Sequence, residues 1–304
     1  MEKKEIVKIF MENGVLLQPK ELENINESNY LKMLETHKNK SEHSIKKQPE
    51  TNIEKEDTAI IFDIKPFNKK TKMEPKDFIN YYNKKYSGIR DLLIRKLNAV
   101  SINKAKELTS TSNIIGMIKE RTQNGFIMED QTGSLEIITN NDLLIGDVIC
   151  IIGTSREGKF LVKEVVYPDI PLTHKPNIVD TEISLLKNKD DWSISINSTT
   201  KSVVVPAKIK IKRNSSEIVI LVFKPEKPIM QDVAVEFLKK RHLSPSRNEI
   251  KYDEDIFIID PIPDILWLVG EEEYVKNYKG VTIVSTGNRS ANIDLSTKKV
   301  EFMN

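Results

Sequence analysis

The residues of this chain that could carry metal or nucleophilic chemistry are few. The sequence contains four histidines and one cysteine. His37 and His43 lie in or beside a highly polar stretch with no further ligands nearby, so we expect no metal site there. Cys150 falls in the apolar run Asp147–Ile152, which predicts a small buried core residue rather than a reactive thiol. A single cysteine excludes a disulfide framework and a multi-cysteine zinc site within this chain.

Three consecutive glutamates, Glu271, Glu272 and Glu273, are a candidate group for a hard metal. Two hard cations held about 3.5–4 Å apart can cleave a phosphodiester, because they stabilise both the attacking and the leaving oxygen. Three adjacent residues on one turn cannot surround two ions, so we expect at most weak binding of a hard metal. Of the remaining histidines, we expect His242 to be buried with a hydrogen bond and His174 to lie in a loop.

The elements that must position these residues belong to a chain of 304 residues, which is enough for two modest domains. Charged residues make up 30% of it and the net charge is +2, so the overall charge does not indicate a basic surface that binds nucleic acid. No apolar stretch approaches the roughly 18 residues of a membrane-spanning helix. The N-terminus is charged rather than signal-like. We therefore expect a cytoplasmic protein with no membrane partner.

The N-terminal third is predicted to be helical and loosely organised. Residues 1–37 form a helical appendage with helices over Glu5–Phe10 and Glu21–Glu35, in which Leu31 is one of the apolar positions. Residues 38–57 have almost no apolar content and are predicted to be a disordered linker. Residues 58–110 supply an extended segment and a helix that packs on the domain that follows. The predicted buried face of that helix is Phe78, Tyr82, Tyr86, Ile89, Leu93 and Leu97.

From Asn113 the hydrophobic period changes from helix to strand, and short apolar runs alternate with Gly-containing turns. This pattern predicts a small closed barrel of the oligonucleotide/oligosaccharide-binding (OB) kind over residues 111–172. Its predicted strands are Asn113–Lys119, Phe126–Asp130, Ser134–Thr139, Gly146–Gly153 and Phe160–Tyr167.

Barrels of this kind often bind single strands through surface aromatics and a basic groove. Phe126 and Phe160 begin apolar-rich strands, which favours burial over base stacking. The basic residues of the barrel could contact phosphate, or they could simply form a solvated face, and both interpretations stay open. The candidate DNA-contacting residues are Lys119, Arg121, Lys159 and Lys163.

Residues 173–304 alternate predicted strands with one helix, from about Met230 to Arg241. A sheet with a helix is consistent with a reduced calcineurin-like phosphoesterase β-sandwich. The predicted strands are Asp191–Ser198, Ser202–Lys212, Glu217–Phe223, Ile256–Asp260, Ile265–Val269, Val281–Ser285, Ala291–Leu295 and Lys299–Phe302.

Three motifs of the C-terminal half, Leu238–Leu243, Phe257–Asp260 and Pro263–Ile265, resemble the small subunit of the archaeal family D DNA polymerase. The barrel segment Ile114–Gly133 and its exit Val165–Pro171 resemble the same family. The resemblance implies an α+β, mostly β fold, in which an OB-fold barrel is followed by a calcineurin-like phosphoesterase sandwich.

The chain departs from this family where the phosphoesterase metal ligands are expected. The family's Tyr-His-Gly motif falls on Phe223-Lys224-Pro225, which puts Lys224 at a ligand position. Its Gly-His-x-His turn falls at Val269–Glu273, so Gly270, Glu271, Glu272 and Glu273 replace the histidines. No Asp-x-His motif occurs in the chain, and Gly287-Asn288 is expected to lie at the wrong end of the module.

The resemblance therefore implies a non-catalytic accessory subunit with no cofactor and an inactivated phosphoesterase, similar to the B-subunits of eukaryotic replicative polymerases. Its implied partners are the large catalytic subunit, primer–template DNA through the complex and, as a further candidate, the sliding clamp. Two alternatives stay open: a metal-dependent exonuclease with relocated ligands, and a stand-alone single-strand-binding barrel protein. We expect the exposed groups of the retained motifs to form the subunit interface, namely Tyr167, Asp169, Arg241, Asp264, Trp267 and Tyr278.

Overall fold

A computed structural model describes residues 6, 9–10, 26, 28–33, 61–65, 72, 74–188, 191–243 and 257–303. The chain divides into two compact units, Met1–Thr58 and Ala59–Asn304. None of the helices in these described ranges is long and apolar enough to cross a membrane. The predicted linker 38–57, together with His37, lies outside the described residues.

In the first unit, Ile6 and Phe10 are helical and buried. Tyr30 and Met33 pack against them. Leu31, which we predicted to be on the apolar face of the second helix, is 61% exposed. The buried face is therefore rotated toward Tyr30 and Met33.

The second unit begins with strand β1 (Ile61–Lys65), followed by helices α1 (Pro75–Ile94) and α2 (Ile102–Glu107). Pro75 occupies the first turn of α1, where its missing N–H costs nothing, and the Asp77 carboxylate accepts from the Glu74 N–H at 2.9 Å. The buried face includes Tyr81 instead of the predicted Tyr82, which is 40% exposed. The helix packs against the barrel through the apolar residues Tyr86, Ile89, Leu92, Leu93, Ile115, Met117, Val148 and Cys150.

Five strands form a closed barrel in the order β2-β3-β4-β6-β5, and the pairing of β5 with β2 closes it. All neighbours are antiparallel except β4 and β6. Gly125 and Gly153 allow strands to approach closely, because a Cβ at these positions would lie 1.9 Å and 2.1 Å from the carbonyl oxygens of Ile137 and Leu161. The five strands agree with the sequence prediction, and they are β2 (Ser112–Arg121), β3 (Gly125–Glu129), β4 (Ser134–Ile138), β5 (Val148–Arg156) and β6 (Lys159–Val166).

Two further sheets follow the barrel. The six-stranded sheet has the order β1-β10-β11-β12-β14-β13, and the five-stranded sheet has the order β16-β15-β7-β8-β9. A helix, α3 (Gln231–Lys240), connects β11 to β12. The strands are β7 (Glu182–Asn188), β8 (Asp191–Ile196), β9 (Thr199–Val203), β10 (Ala207–Arg213), β11 (Ser216–Phe223), β12 (Ile265–Leu268), β13 (Glu273–Tyr278), β14 (Val281–Thr286), β15 (Ser290–Asp294) and β16 (Val300–Met303).

Several sequence predictions for this half need correction. The single strand predicted over Ser202–Lys212 is two strands in different sheets, because the chain leaves one sheet at Val203 and enters the other at Ala207, with Pro206 between them. Strands β7 and β13 were not predicted. Strand β1 pairs with β10 of the six-stranded sheet, whereas we expected its segment to accompany the barrel.

One hydrophobic core lies between the two sheets and a second covers the outer face of the six-stranded sheet. In the first, Trp192 and Trp267 meet edge to face with ring centroids 5.7 Å apart. In the second, Phe237 and Leu238 of α3 belong to one cluster with Leu266 and Ile283 of the sheet. Strands β12 and β14 are buried along their whole length, and β11 from Ile218 onward. This two-sided burial explains why β12 and the buried part of β11 are continuous apolar runs, whereas β14 also buries Thr282, Ser285 and Thr286.

Strands β11, β12 and β14 run parallel, with Phe223 opposite Leu268 and Leu268 opposite Ser285. Their carboxyl ends therefore meet at one edge of the sheet. The residues that follow these three strands are brought together there, although they are far apart in the sequence.

Candidate functional site

A pocket of about 230 Å³ lies at the carboxyl ends of the three parallel strands. Lys224 follows β11, Gly270 and Glu271 follow β12, and Asn288 follows β14. Strands β7 and β8 of the other sheet add Lys187 and Trp192, and the segment after Lys224 adds Pro225, Glu226, Lys227 and Pro228. We call this the strand-end pocket.

The structure therefore joins three of the five positions at which the family resemblance implies former metal ligands. Lys224, Gly270 and Glu271 line the pocket, whereas Glu272 and Glu273 do not. The Glu272 carbonyl accepts from the Ser285 hydroxyl at 2.5 Å, and Glu273 begins β13. There its carboxylate binds Arg289 at 3.0 Å.

Asn288 also lines the strand-end pocket, so our prediction that Gly287-Asn288 lies at the wrong end of the module is wrong. Sequence order suggested a distant position, but β14 is parallel to β12 and places its carboxyl end beside it. Lys187 and Trp192 were missed altogether, because they come from the opposite sheet and carry no motif.

The donor set of the strand-end pocket does not suit a pair of divalent cations. It has three lysines, two glutamates and one asparagine, and no imidazole. Within the described ranges, no group of three or more His, Cys, Asp and Glu side chains could hold a metal ion. The ammonium groups of the lysines would repel a bound cation, and they suit an anion better.

Three of the predicted interface residues are buried inside the fold, so the expectation that they are exposed is wrong. Arg241, Asp264 and Trp267 are 4%, 1% and 0% exposed. Their polar groups are satisfied internally: Asp264 accepts from the backbone N–H of Asn177 and Val219 at 2.6 and 2.8 Å.

Arg241 ends α3 in a left-handed conformation, with φ 53°. Its Nε donates to the Ile259 carbonyl at 2.6 Å. The indole N–H of Trp267 donates to the Thr286 hydroxyl at 3.1 Å. These motif residues stabilise the chain itself, and a partner cannot reach them without unfolding it.

The other three interface candidates, Tyr167, Asp169 and Tyr278, are partly buried and belong to one internal contact. Asp169 accepts from the Tyr278 hydroxyl at 2.9 Å and forms an ion pair with Lys279. Burial, then the hydrogen bond and charge of Asp169, raise the pKa of Tyr278. The ammonium of Lys239 lies 4.8 Å from the centre of the Tyr167 ring, and burial raises the pKa of Tyr167 to about 12. The contact ties the barrel exit to α3 and β13.

A second, polar groove of about 970 Å³ lies on the barrel between the β2–β3 turn and the segment after β4. It contains two of the four DNA-contact candidates, Arg121 and Lys159. Arg121 pairs with Asp142 at 3.7 Å, and Lys159 pairs with Glu136 at 3.0 Å.

The other two candidates lie outside this groove. Lys119 pairs with Glu129 at 2.9 Å, and that hydrogen bond and charge raise the pKa of Lys119. Lys163 donates to the Thr111 hydroxyl at 3.1 Å. Phe126 and Phe160 are buried, as predicted, and offer no stacking platform. Three of the four candidates pair with a carboxylate, and contact of these residues with DNA stays a prediction.

The remaining reactive side chains behave as predicted from their surroundings. His242 is 1% exposed, and one of its ring nitrogens lies 3.4 Å from the Tyr81 hydroxyl. His174 lies in the segment between β6 and β7, where burial lowers its pKa. Cys150 is fully buried, and burial raises the pKa of its thiol to about 11, so it is a core residue and not a nucleophile.

Neither the models of known protein families nor the curated protein sequences contain a match to this chain.

Proposed function

We propose that this chain is a non-catalytic accessory subunit of a family D replicative DNA polymerase. The observation that carries the proposal is the strand-end pocket. The sequence motifs implied ligand positions at Lys224 and at Gly270–Glu271, which are far apart in the chain. These residues meet at the carboxyl ends of adjacent parallel strands. That is where a two-metal site needs its ligands to converge.

The architecture supports the same reading. We infer that the barrel is an OB-fold, because numbering its strands one to five gives the closed order one-two-three-five-four, with strands three and five parallel. A two-layer β-sandwich follows it, as the resemblance implies. We infer that this sandwich is a reduced calcineurin-like phosphoesterase.

The loss of hydrolytic chemistry follows from the residue types in the pocket. In-line displacement at a phosphodiester needs two cations held by carboxylates and imidazoles. Lysine at position 224 and glycine at position 270 supply neither kind of ligand. We therefore propose that the sandwich is retained for its shape.

The fold suits a rigid scaffold. The barrel and the sandwich are joined by an ion pair between Asp147 and Lys240 at 2.8 Å and by the contact of Asp169 with Tyr278 at 2.9 Å. A rigid surface has little conformational entropy to lose when a large subunit binds to it. The subunit would then position the polymerase on primer–template.

Co-expression with the large subunit of a family D polymerase tests the proposal. We expect one complex of defined stoichiometry when its mass is measured by light scattering after gel filtration. Two separately eluting proteins with no measurable affinity would contradict it.

The purified chain is also assayed on a single-stranded oligonucleotide with Mn²⁺ or Mg²⁺, with and without a chelator. We expect no turnover, and turnover that the chelator abolishes would favour an exonuclease. Strong, steeply salt-dependent binding to oligonucleotide without binding to the large subunit would favour a stand-alone single-strand-binding protein.

A further inference from the structure

We propose that the strand-end pocket binds a phosphomonoester group through its lysines. This function is separate from the accessory role proposed above and needs no polymerase partner. It concerns the chemistry that the pocket can do with the residues that it now contains.

The position of the pocket favours a ligand site. In open α/β sheets, ligands bind in the crevice outside the carboxyl ends of the parallel strands, and the pocket has the same position relative to the three parallel strands of this mixed sheet. Here the segments that follow β11, β12 and β14 form the pocket, and β7 and β8 of the second sheet close one side. The wall on that side is Trp192, which is 6% exposed and held by its contact with Trp267.

The charges of the pocket favour an anion. The lining includes Lys187, Lys224 and Lys227 and two carboxylates, Glu226 and Glu271, which leaves one net positive charge. Among the residues that the structure describes, Lys224 and Lys227 form no salt bridge. Their ammonium groups are therefore available to a phosphate, for which lysine is a common point-charge partner.

Lys187 differs because its position is already defined. Its ammonium lies 4.6 Å from the centre of the Trp192 ring, an attraction that holds the charge at the wall of the pocket. An ammonium held in place before the ligand arrives reduces the entropy lost on binding.

Gly270 leaves the backbone at the pocket open to a ligand. Its backbone is not in the left-handed region, and a Cβ would meet nothing closer than the Ser285 hydroxyl at 3.7 Å and Pro225 at 3.8 Å. Neither backbone conformation nor packing within the protein requires glycine here. Glycine does allow the backbone to be approached closely by a ligand, and the residue lines the pocket.

The size of the pocket limits the ligand. A volume of about 230 Å³ is smaller than the roughly 300–1,000 Å³ of sites for drug-sized molecules. A phosphate with at most one sugar is therefore the expected occupant. Such a group occurs on a free mononucleotide and at the phosphorylated end of a DNA strand, and both sources share the phosphomonoester dianion.

The test is calorimetric titration of the full chain with four probes. They are inorganic phosphate, deoxyadenosine monophosphate, a short single strand with a 5′-phosphate, and the same strand with a 5′-hydroxyl. We expect the first two to bind. The 5′-phosphorylated strand binds more tightly than its hydroxyl counterpart if strand ends are the source, and equally weakly if free nucleotides are.

Matched variants locate the site. K224Q and K227Q are each expected to weaken phosphate binding about tenfold, because each removes one charge-assisted hydrogen bond. E271Q removes a repelling carboxylate and should tighten binding a few-fold. G270A should weaken binding with an unchanged melting temperature. K276Q changes an exposed lysine of β13 outside the pocket and should have no effect.

Three results would overturn the proposal: no heat of binding with inorganic phosphate or the nucleotide, unchanged affinity in K224Q and K227Q, or binding of the 5′-hydroxyl strand that is tighter than that of inorganic phosphate and is not strengthened by a 5′-phosphate. The last would indicate contact with the phosphodiester backbone elsewhere. These outcomes do not depend on whether the large subunit binds, so the two proposals fail separately.

Discussion

The ion pair between Lys240 and Asp147 is expected to contribute more to stability than any surface pair. Their side chains are 12% and 6% exposed, and Nζ lies 2.8 Å from Oδ2. Lys240 ends α3 of the sandwich and Asp147 precedes β5 of the barrel, so the pair connects the two halves. K240M keeps the length and helix propensity of the side chain but removes its charge.

The expected cost of K240M is about 3 kcal/mol of unfolding free energy. Removing one partner of a buried pair costs roughly 3–5 kcal/mol, since it leaves an uncompensated charge. The lower end applies here, because the Asp147 carboxylate still accepts from the Leu144 N–H at 3.2 Å. In D147N, Lys240 is the residue that loses its charged partner. The double variant K240M/D147N should cost less than the sum of the two single changes.

Urea unfolding followed by circular dichroism measures these costs. The matched control is K210M: Lys210 lies 2.9 Å from Glu217, but these side chains are 43% and 31% exposed. An exposed pair of the same length is worth under about 1 kcal/mol. If K240M costs no more than K210M, or if the double variant is strictly additive, the Lys240–Asp147 contact is not a desolvated ion pair and our reasoning is wrong.

Three further predictions concern buried groups. Burial lowers the pKa of Lys298 to about 8, so the folded chain releases this proton at a lower pH than the unfolded chain does. The contribution of Lys298 to stability should therefore rise with pH between about 8 and 10. The amount by which K298M melts above the wild type should shrink over that range. Cys150 should react with a thiol reagent only as fast as the native chain unfolds, and rapid labelling of the folded protein would contradict its burial. G125A should cost several kcal/mol or prevent folding, because its Cβ would lie 1.9 Å from the Ile137 carbonyl oxygen; G270A in the same denaturation assay should cost no more than about 0.5 kcal/mol.

The barrel was predictable from the sequence because its signals are local. Each strand is a short alternating run, and the turns between the strands contain residue types that favour turn conformations. At the Gln131–Gly133 turn, Asp130 accepts from the N–H groups of Thr132 and Gly133 at 2.7 and 3.0 Å. This side-chain bond closes the turn without help from elsewhere in the chain.

The two unpredicted strands each pair with the next strand of the chain, but few of their own residues are buried. In β13, Val275 is 42% exposed and the inward-facing residue is Tyr274. The strand forms the edge of its sheet and is held by pairing with β14. Strand β7 pairs on one side with β8, the next strand of the chain, and on the other with β15, which lies more than a hundred residues later. A single sequence does not reveal such distant pairings.

Burial of charged motif residues was the second failure of sequence reasoning. Arg241 and Asp264 looked like surface groups because charged side chains usually are. Their partners are backbone groups of distant segments, such as the Ile259 carbonyl and the Val219 N–H. Charge alone therefore does not identify an interface residue here.

The amino-acid sequence by itself determined which residue types follow the apolar strands: a lysine after β11, and a glycine and a glutamate after β12. It also determined that no histidine stands at these positions. Only the tertiary structure decided that these residues form one pocket and that Lys187, Trp192 and Asn288 complete it. The physical reason is that parallel strands align their ends through long-range backbone pairing, which is set by the order of strands in the sheet and not by their order in the chain.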